Sequence, residues 1–393
     1  DAGTGISRKA APAVGSRSGG RHAPSLKLAG TLYLLSAISN DLGSKTLPHR
    51  RISHMALAGF SEDLWNDGLR RIRLQNQSMR ISILPEVAGK IIEITNLRSG
   101  RNWLWSNPAL LHGRPGYGDN FDAVLDSGGW DDIFLSVTPG QVELPDGTRC
   151  DVPDHGDLVG QSWDVDQLGV DDRGNLACAL TASGKALDYA WRRTVVLESD
   201  RPVLRLDYRL ENAGSTILPW FWCAHPLIAM EPGMLIHIRE GQEILVSAAH
   251  GISGANRNGS IRWPWLPTAS DRPINLSACF SKPQRGRKFA AKVFVRSTLP
   301  GQVSVGSADG SEQLTMRYDG SLVPWLGLWL NNRGWAGSTG SPYLNLGLEP
   351  STVPCDSLSH ALATDVVAFL RPGERREWSV EVSLDPAQAA ATP

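Results

Sequence analysis

From Gly68 onward the chain is built of short runs in which apolar and polar residues alternate, each closed by turn residues. Runs at 79–84 (MRISIL), 90–95 (KIIEIT), 194–198 (TVVLE) and 203–210 (VLRLDYRL) are followed by others at 291–295 (AKVFV), 313–318 (QLTMRY) and 378–382 (WSVEV). A period of two sends successive side chains to opposite faces of a strand, so one face meets a core and the other meets solvent. The alternation is strictest over 204–210. Between the runs stand LRSG, LPDG, ENAG, SADG and YDG, all turn sequences. No stretch of a dozen residues carries a 3.6-residue period, and no repeat of fixed length points to a propeller or solenoid. Many short strands at this spacing predict an all-β chain, a sandwich or barrel. No linker or composition break interrupts residues 60–387, so the reading is one large β domain over 55–390.

The first 54 residues differ. Residues 1–25 are rich in Gly, Ser, Ala, Arg and Pro without periodicity, the composition of a disordered tail. Residues 1–51 hold eight Lys/Arg against two Asp, and that excess of six leaves about −7 for the rest of a chain whose net charge is −1. Acid-poor leaders with Arg and Ser resemble organellar transit peptides. The plainer reading is a disordered basic extension over 1–54, with Met55 a natural start for the folded unit. A net charge near zero offers no electrostatic case for nucleic acid. Cys150, Cys178, Cys223, Cys279 and Cys355 are odd in number, dispersed and without a CxxC pair. That pattern speaks against a disulfide framework or structural zinc and suits a cytoplasmic protein. The longest apolar run, 29–39, is shorter than the roughly 20 residues that cross a bilayer, so no membrane partner is expected. The sequence does not fix an oligomeric state.

Five segments crowd polar, aromatic and Gly/Pro residues together. In SGGWDDIF (127–134), paired glycines precede Trp130, Asp131 and Asp132. These three read either as a sugar shelf with hydroxyl-binding carboxylates or as a turn with solvated Asp and a core Trp. PDHGDL (153–158) puts His155 beside a glycine on a loop, where a histidine is a site residue or merely solvated. LPWFWCAHPLIAMEP (218–232) carries Trp222 and then His225 inside an apolar run. Such a histidine is either a satisfied core residue or a general acid tuned by burial. In YLNLGLEPSTVP (343–354), Glu349 ends an apolar strand, and a buried carboxylate needs a dedicated partner or a shifted pKa. PWLGLWLNNRGWAG (324–337) adds Trp329, Trp335 and amide donors suited to sugar hydroxyls. With 14 Trp against 8 Phe and 6 Tyr, aromatic platforms for a sugar ring compete with core packing as the use of this residue.

These segments, in this order, resemble the aldose 1-epimerase family, in its broad divergent branch. GGWDDIF is similar to a GGWDE-hydrophobic-F segment, with Asp132 where Glu is commoner. PDHGDL is similar to the family's His-Gly loop, WCAHPLIAMEPG to the strand of its second histidine, and LGLEPST to its terminal Glu-Pro segment. The likeness spans roughly residues 68–385. It implies a large antiparallel β-sandwich, the galactose mutarotase-like supersandwich. It also implies Glu349 as catalytic base, His225 as general acid and His155 as the histidine that holds the sugar near its ring oxygen. Asp132, with Trp130, Asp131, Trp329 and Trp222, is then expected to bind substrate. Around His225 the sequence reads CAHPLI, without the Asn-His-aromatic-aromatic-Asn form of the best-known members.

The expected activity is interconversion of sugar anomers. One base removes the C1 hydroxyl proton and one acid protonates the ring oxygen, each transfer contributing roughly 10²–10⁴-fold. The expected partner is a small-molecule sugar, with no metal and no cofactor; no P-loop or dinucleotide fingerprint is present. Two other readings stay open. One is a non-catalytic sugar-binding protein of the same fold. The other is a glycoside hydrolase that pairs Asp131 or Asp132 with Glu349.

Overall fold

The computed structural model describes residues 59–66, 68–255, 261–269, 272–280 and 288–386. The extension expected over 1–54 lies outside the described residues. Eleven strands form the larger sheet: β1 (Gly59–Trp65), β2 (Leu69–Gln75), β3 (Met79–Leu84), β4 (Lys90–Asn96), β5 (Trp130–Phe134), β6 (Trp222–Ala229), β7 (Glu243–His250), β8 (Ile261–Arg262), β9 (Phe289–Arg296), β10 (Trp325–Asn332) and β11 (Leu344–Ser351). Their spatial order is β1-β2-β3-β4-β5-β6-β11-β10-β9-β7-β8, with antiparallel neighbours throughout. An eight-stranded sheet runs in the order Leu235–His237, Gly301–Gly306, Glu312–Tyr318, Arg375–Pro386, Val203–Asn212, Tyr189–Leu197, Leu176–Ser183 and Asp164–Val170. The all-β sandwich predicted by the alternation is the fold observed. Along Val203–Asn212 the inward residues Leu204, Leu206, Tyr208 and Leu210 are buried, while Arg205, Asp207 and Arg209 between them stay partly exposed. Among the described residues the α-helix is confined to Leu358–Ala363, started by the Ser357 hydroxyl. No helix among them is long and apolar enough to cross a membrane.

Much of the tryptophan is spent on the core between the sheets. Tyr208 and Trp378 stack with ring centroids 5.3 Å apart, and Trp222 meets Trp378 edge-on at 5.1 Å. Trp103, Trp130, Trp191, Trp222 and Trp263 are fully buried. Each such ring removes roughly 150–250 Å² from water. All five cysteines are free and buried.

A fully buried charged contact crosses this core. Arg193, on Tyr189–Leu197 of the smaller sheet, donates to Asp132 Oδ2 of β5 at 2.7 Å, and neither side chain is exposed. The same guanidinium bonds the Gly89 carbonyl and lies over the Trp163 ring. Asp132 Oδ1 accepts from Trp222 Nε1 at 3.3 Å. Removing the cation would leave a carboxylate stranded in the core, which typically costs about 3–5 kcal/mol. Arg193→Met is therefore expected to lower unfolding free energy by about that amount in a denaturant titration, with little change in m-value.

Candidate active site

Strand register builds a cleft on the other face of the larger sheet. β6 and β11 pair with Cys223 opposite Ser351 and Leu227 opposite Gly347, which sets His225 opposite Glu349. β10 then puts Gly327 opposite Glu349 and Trp329 opposite Gly347, and β9 puts Lys292 opposite Trp329. Directly opposed residues share a face, so His225, Glu349, Trp329 and Lys292 emerge together. They line a cleft of about 390 Å³, with His155, Phe121, Asp126, Tyr343, Asn345 and Asp356 among its other walls.

Glu349 has no solvent exposure. Lys292 Nζ donates to its Oε2 and lies 3.5 Å from Asp356 Oδ1. Burial alone would favour loss of the Lys292 proton, but Asp356 and Glu349 outweigh it and hold the ammonium above the ordinary lysine range. Among the described residues, Glu349 Oε1 has no hydrogen-bond partner, and it stands 4.0 Å from His225 Nε2. Two glycines make room for this carboxylate to lie along the sheet. A Cβ at Gly347 would fall 2.4 Å from Oε1, and one at Gly327 would fall 3.2 Å from Oε2.

The two histidines meet with ring centroids 5.6 Å apart, edge to face. His225 is buried, and its Nδ1 has no partner among the described residues. Burial, together with the positive potential of His155, Lys292 and Lys90, holds its imidazole well below the usual histidine value. His155 comes from the loop after the hairpin strand Arg149–Val152, in a left-handed conformation at φ 58°. The following Gly156 (φ 83°) packs so closely that a Cβ would lie 2.3 Å from the Phe134 carbonyl oxygen. His155 stacks on Phe121 at 3.6 Å, and its Nδ1 lies 2.8 Å from Asp154 Oδ1. Asp154 Oδ2 also accepts from the Phe121 N–H at 2.9 Å, tying the two loops together.

The structure brings Glu349, His225, His155 and Trp329 together but not the other expected site residues. Trp130 and Trp222 are fully buried in the inter-sheet core. Asp132 points into that core toward Arg193, so it does not meet the cleft. Asp131, its neighbour, takes the opposite face and is held there by Lys90 Nζ at 2.6 Å, covered by the 125–128 loop whose Leu125 and Gly128 carbonyls bond the same ammonium. The expected shelf is thus two buried ion pairs, because a charge inside a protein is stable only beside its complement.

Sequence reasoning missed Lys292, Asp356, Asp126 and Asn345. The signal for Lys292 was a lone cation in the apolar run FAAKVFV. Asn345 is 1% exposed, and neither of its amide atoms has a partner among the described residues. Asp126, beside the short π-helical turn Phe121–Leu125, has the Tyr343 hydroxyl at 3.3 Å from Oδ2. Burial pushes its carboxyl up to about 7, against the pull of Lys90. A carboxyl raised in the folded state binds protons that the unfolded chain has released. Its contribution is therefore most favourable below about 4 and is lost as pH rises toward 7. Asp126→Asn removes that loss, so its stability relative to the parent is expected to improve between pH 4 and pH 8 in paired denaturant titrations.

No protein-family model matches the chain, and no curated protein matches it significantly. Solved structures do. A protein of Synechocystis sp. PCC 6803 superposes with TM-score 0.58 at 16% identity, over 86% of this chain and 100% of the other. A galactose mutarotase-like protein of Clostridium acetobutylicum gives 0.61 at 12% identity, over 84% and 99%. A proposed aldose 1-epimerase of Klebsiella pneumoniae gives 0.60 at 14%, over 83% of each chain. The resemblance carried by the motifs extends to the whole architecture, and the chain has the galactose mutarotase-like fold.

Proposed function

We propose that this protein interconverts the α and β anomers of a small-molecule sugar by acid–base ring opening. The observation that carries this reading is the state of Glu349. One of its oxygens is held by Lys292, and the other is unpartnered at the cleft, 4.0 Å from an imidazole. A base in that position can take the C1 hydroxyl proton while a histidine serves the other side of the bond that opens. Trp329, with Trp335 and His250 beside it, offers an aromatic wall for the sugar ring, and the unpaired Asn345 amide offers both a donor and an acceptor to its hydroxyls. The fold shared with galactose mutarotase-like proteins supports the reading by analogy. The hydrolase reading is less well supported, because Asp131 and Asp132 are engaged by Lys90 and Arg193 while both histidines line the cleft.

Exchange NMR on a panel of reducing sugars tests the proposal, since it reads α/β interconversion directly. The protein is expected to accelerate exchange of at least one sugar, and Glu349→Gln to lose about 10²–10⁴-fold of that rate while remaining folded. Binding without faster exchange would make the protein a sugar-binding one. Gly347→Ala provides a geometric check. Its methyl would displace Oε1, and a misplacement of about 1 Å typically costs about 10²-fold in rate.

A further inference from the structure

The face of the larger sheet that bears the cleft carries a second concavity. Over β1 to β4 the outward residues fall in register, with Ser61 opposite Arg73, Asp63 opposite Arg71, Gln75 opposite Arg80 and Ser82 opposite Glu93. The core residues Ile72, Leu74, Ile81 and Ile94 alternate with them on the other face. Leu84 opposite Lys90 continues the outward row to the Lys90–Asp131 pair beside the cleft. With Trp65 and His112, this row lines a groove of about 550 Å³, larger than the cleft. The segment 102–112 is the wall between the two. Trp105 packs on Tyr343 of the cleft at 4.7 Å, whereas Asn102, Ser106 and His112 line the groove.

Ion pairs fix the floor of this groove. Arg71 donates to both oxygens of Asp63, at 2.9 and 2.7 Å, and Arg73 donates to one of them at 3.0 Å. Arg80 donates to Glu93 Oε1 at 2.7 Å. Two carboxylates thus answer three guanidiniums, and most of the charge is neutralised within the protein. Each pair uses only part of the five N–H groups of its arginine, so the others are open to water or a ligand in fixed planes. Gln75 beside them brings an amide that both donates and accepts. Arg71 lies over the Trp65 ring at 5.3 Å, and His112 meets that ring at 5.4 Å. Burial and the charge of Lys90 push the His112 imidazole down to about 3, so it adds no charge to the wall.

We propose that this groove is a carbohydrate site in its own right, which takes one neutral ring of a saccharide. Sugar hydroxyls are uncharged donors and acceptors, and guanidinium and amide groups already locked in place meet them with little further ordering. The Trp65 indole supplies the apolar contact that the C–H face of such a ring needs. A phosphate or carboxylate would compete with Asp63 and Glu93 for the arginines that they already hold. The site does not depend on anomer exchange. Its occupant stands back to back with that of the cleft across the 102–112 wall. His112 Nδ1 ties that wall to Ser127 Oγ at 2.7 Å, and Asn107 ties it to the Asp126 carbonyl at 2.8 Å.

The test is ¹⁵N NMR of the full chain, following the indole N–H of Trp65, which is assigned by its loss in Trp65→Phe. The probes are the methyl glycosides of glucose, galactose and mannose, with inorganic phosphate as the anionic control. Methyl glycosides do not open their rings, so binding is read without any anomer chemistry. At least one is expected to shift the Trp65 signal saturably, and to do so equally in Glu349→Gln, which alters only the cleft. Arg73→Ala is expected to raise the Kd read at Trp65 about tenfold, the share of one charge-assisted hydrogen bond, while the response of the Trp329 indole stays as in the parent. Gln75→Leu, close to isosteric, is expected to weaken the same site. No shift at Trp65 with any glycoside, or tighter binding of phosphate than of every glycoside, would overturn the proposal. So would a shift that disappears in Glu349→Gln or is unchanged in Arg73→Ala, since it would then be relayed from the cleft. If no sugar exchanges its anomers faster, the proposed reaction falls while the Trp65 result still decides the groove.

Discussion

The contact on which the cleft depends is the buried pair between Lys292 and Glu349. A carboxylate with no solvent exposure is tolerated only beside a compensating charge, and β9 supplies one from two strands away. The pair fixes Oε2 and so determines where Oε1 points. It also links Glu349 to Asp356 at the opposite wall through the same ammonium. The other buried acids of the large sheet follow the same rule. Lys90 holds Asp131 and, through two carbonyls, the loop that brings Phe121 and Asp126 to the cleft. Arg193 holds Asp132 and joins the two sheets. Adjacent aspartates on one strand thus anchor the site loop on one face and the sandwich on the other.

This division explains what could be read from the residues alone. Period-two alternation is a local property of an extended chain, so the strands and the sandwich were legible. Glu349 and His225 were legible because polar groups inside apolar strands need a reason to be there. Asp131 and Asp132 were misassigned because their partners are distant in sequence, at Lys90 and Arg193. No spacing rule joins those positions. The tryptophan excess was equally ambiguous. Trp130 and Trp222 alternate with cleft-facing residues and fall on the core side of the pleat, whereas Trp329 falls on the cleft side. Asp126 was invisible for a further reason: its burial comes from a loop whose path depends on Lys90 and on the Asp154–Phe121 bond.

The two histidines reach the cleft by different physical routes, and this accounts for their different surroundings. His225 is a strand residue. Its orientation comes from the pleat, and no side chain partners its inner nitrogen. His155 is a loop residue in a left-handed conformation, followed by Gly156 packed tightly against Phe134. A loop can bring its own carboxylate along, and Asp154 is the preceding residue.

Among the described residues, the cleft contains polar atoms that are buried and unpaired together: Glu349 Oε1 and both amide atoms of Asn345. Each buried unpaired group typically costs about 1–3 kcal/mol, so leaving them unpaired stores a penalty that a well-matched polar ligand relieves. A ligand lacking a hydroxyl at one of these positions would leave the protein group dry and unpaired, and sites of this kind discriminate strongly against such analogues. The aromatic wall at Trp329 supplies contact area but little orientation, because a ring face accepts many poses. On the proposed reading, selectivity would be set by Asn345 and Glu349, whose positions follow from one strand, β11, and from the missing side chain of Gly347 between them.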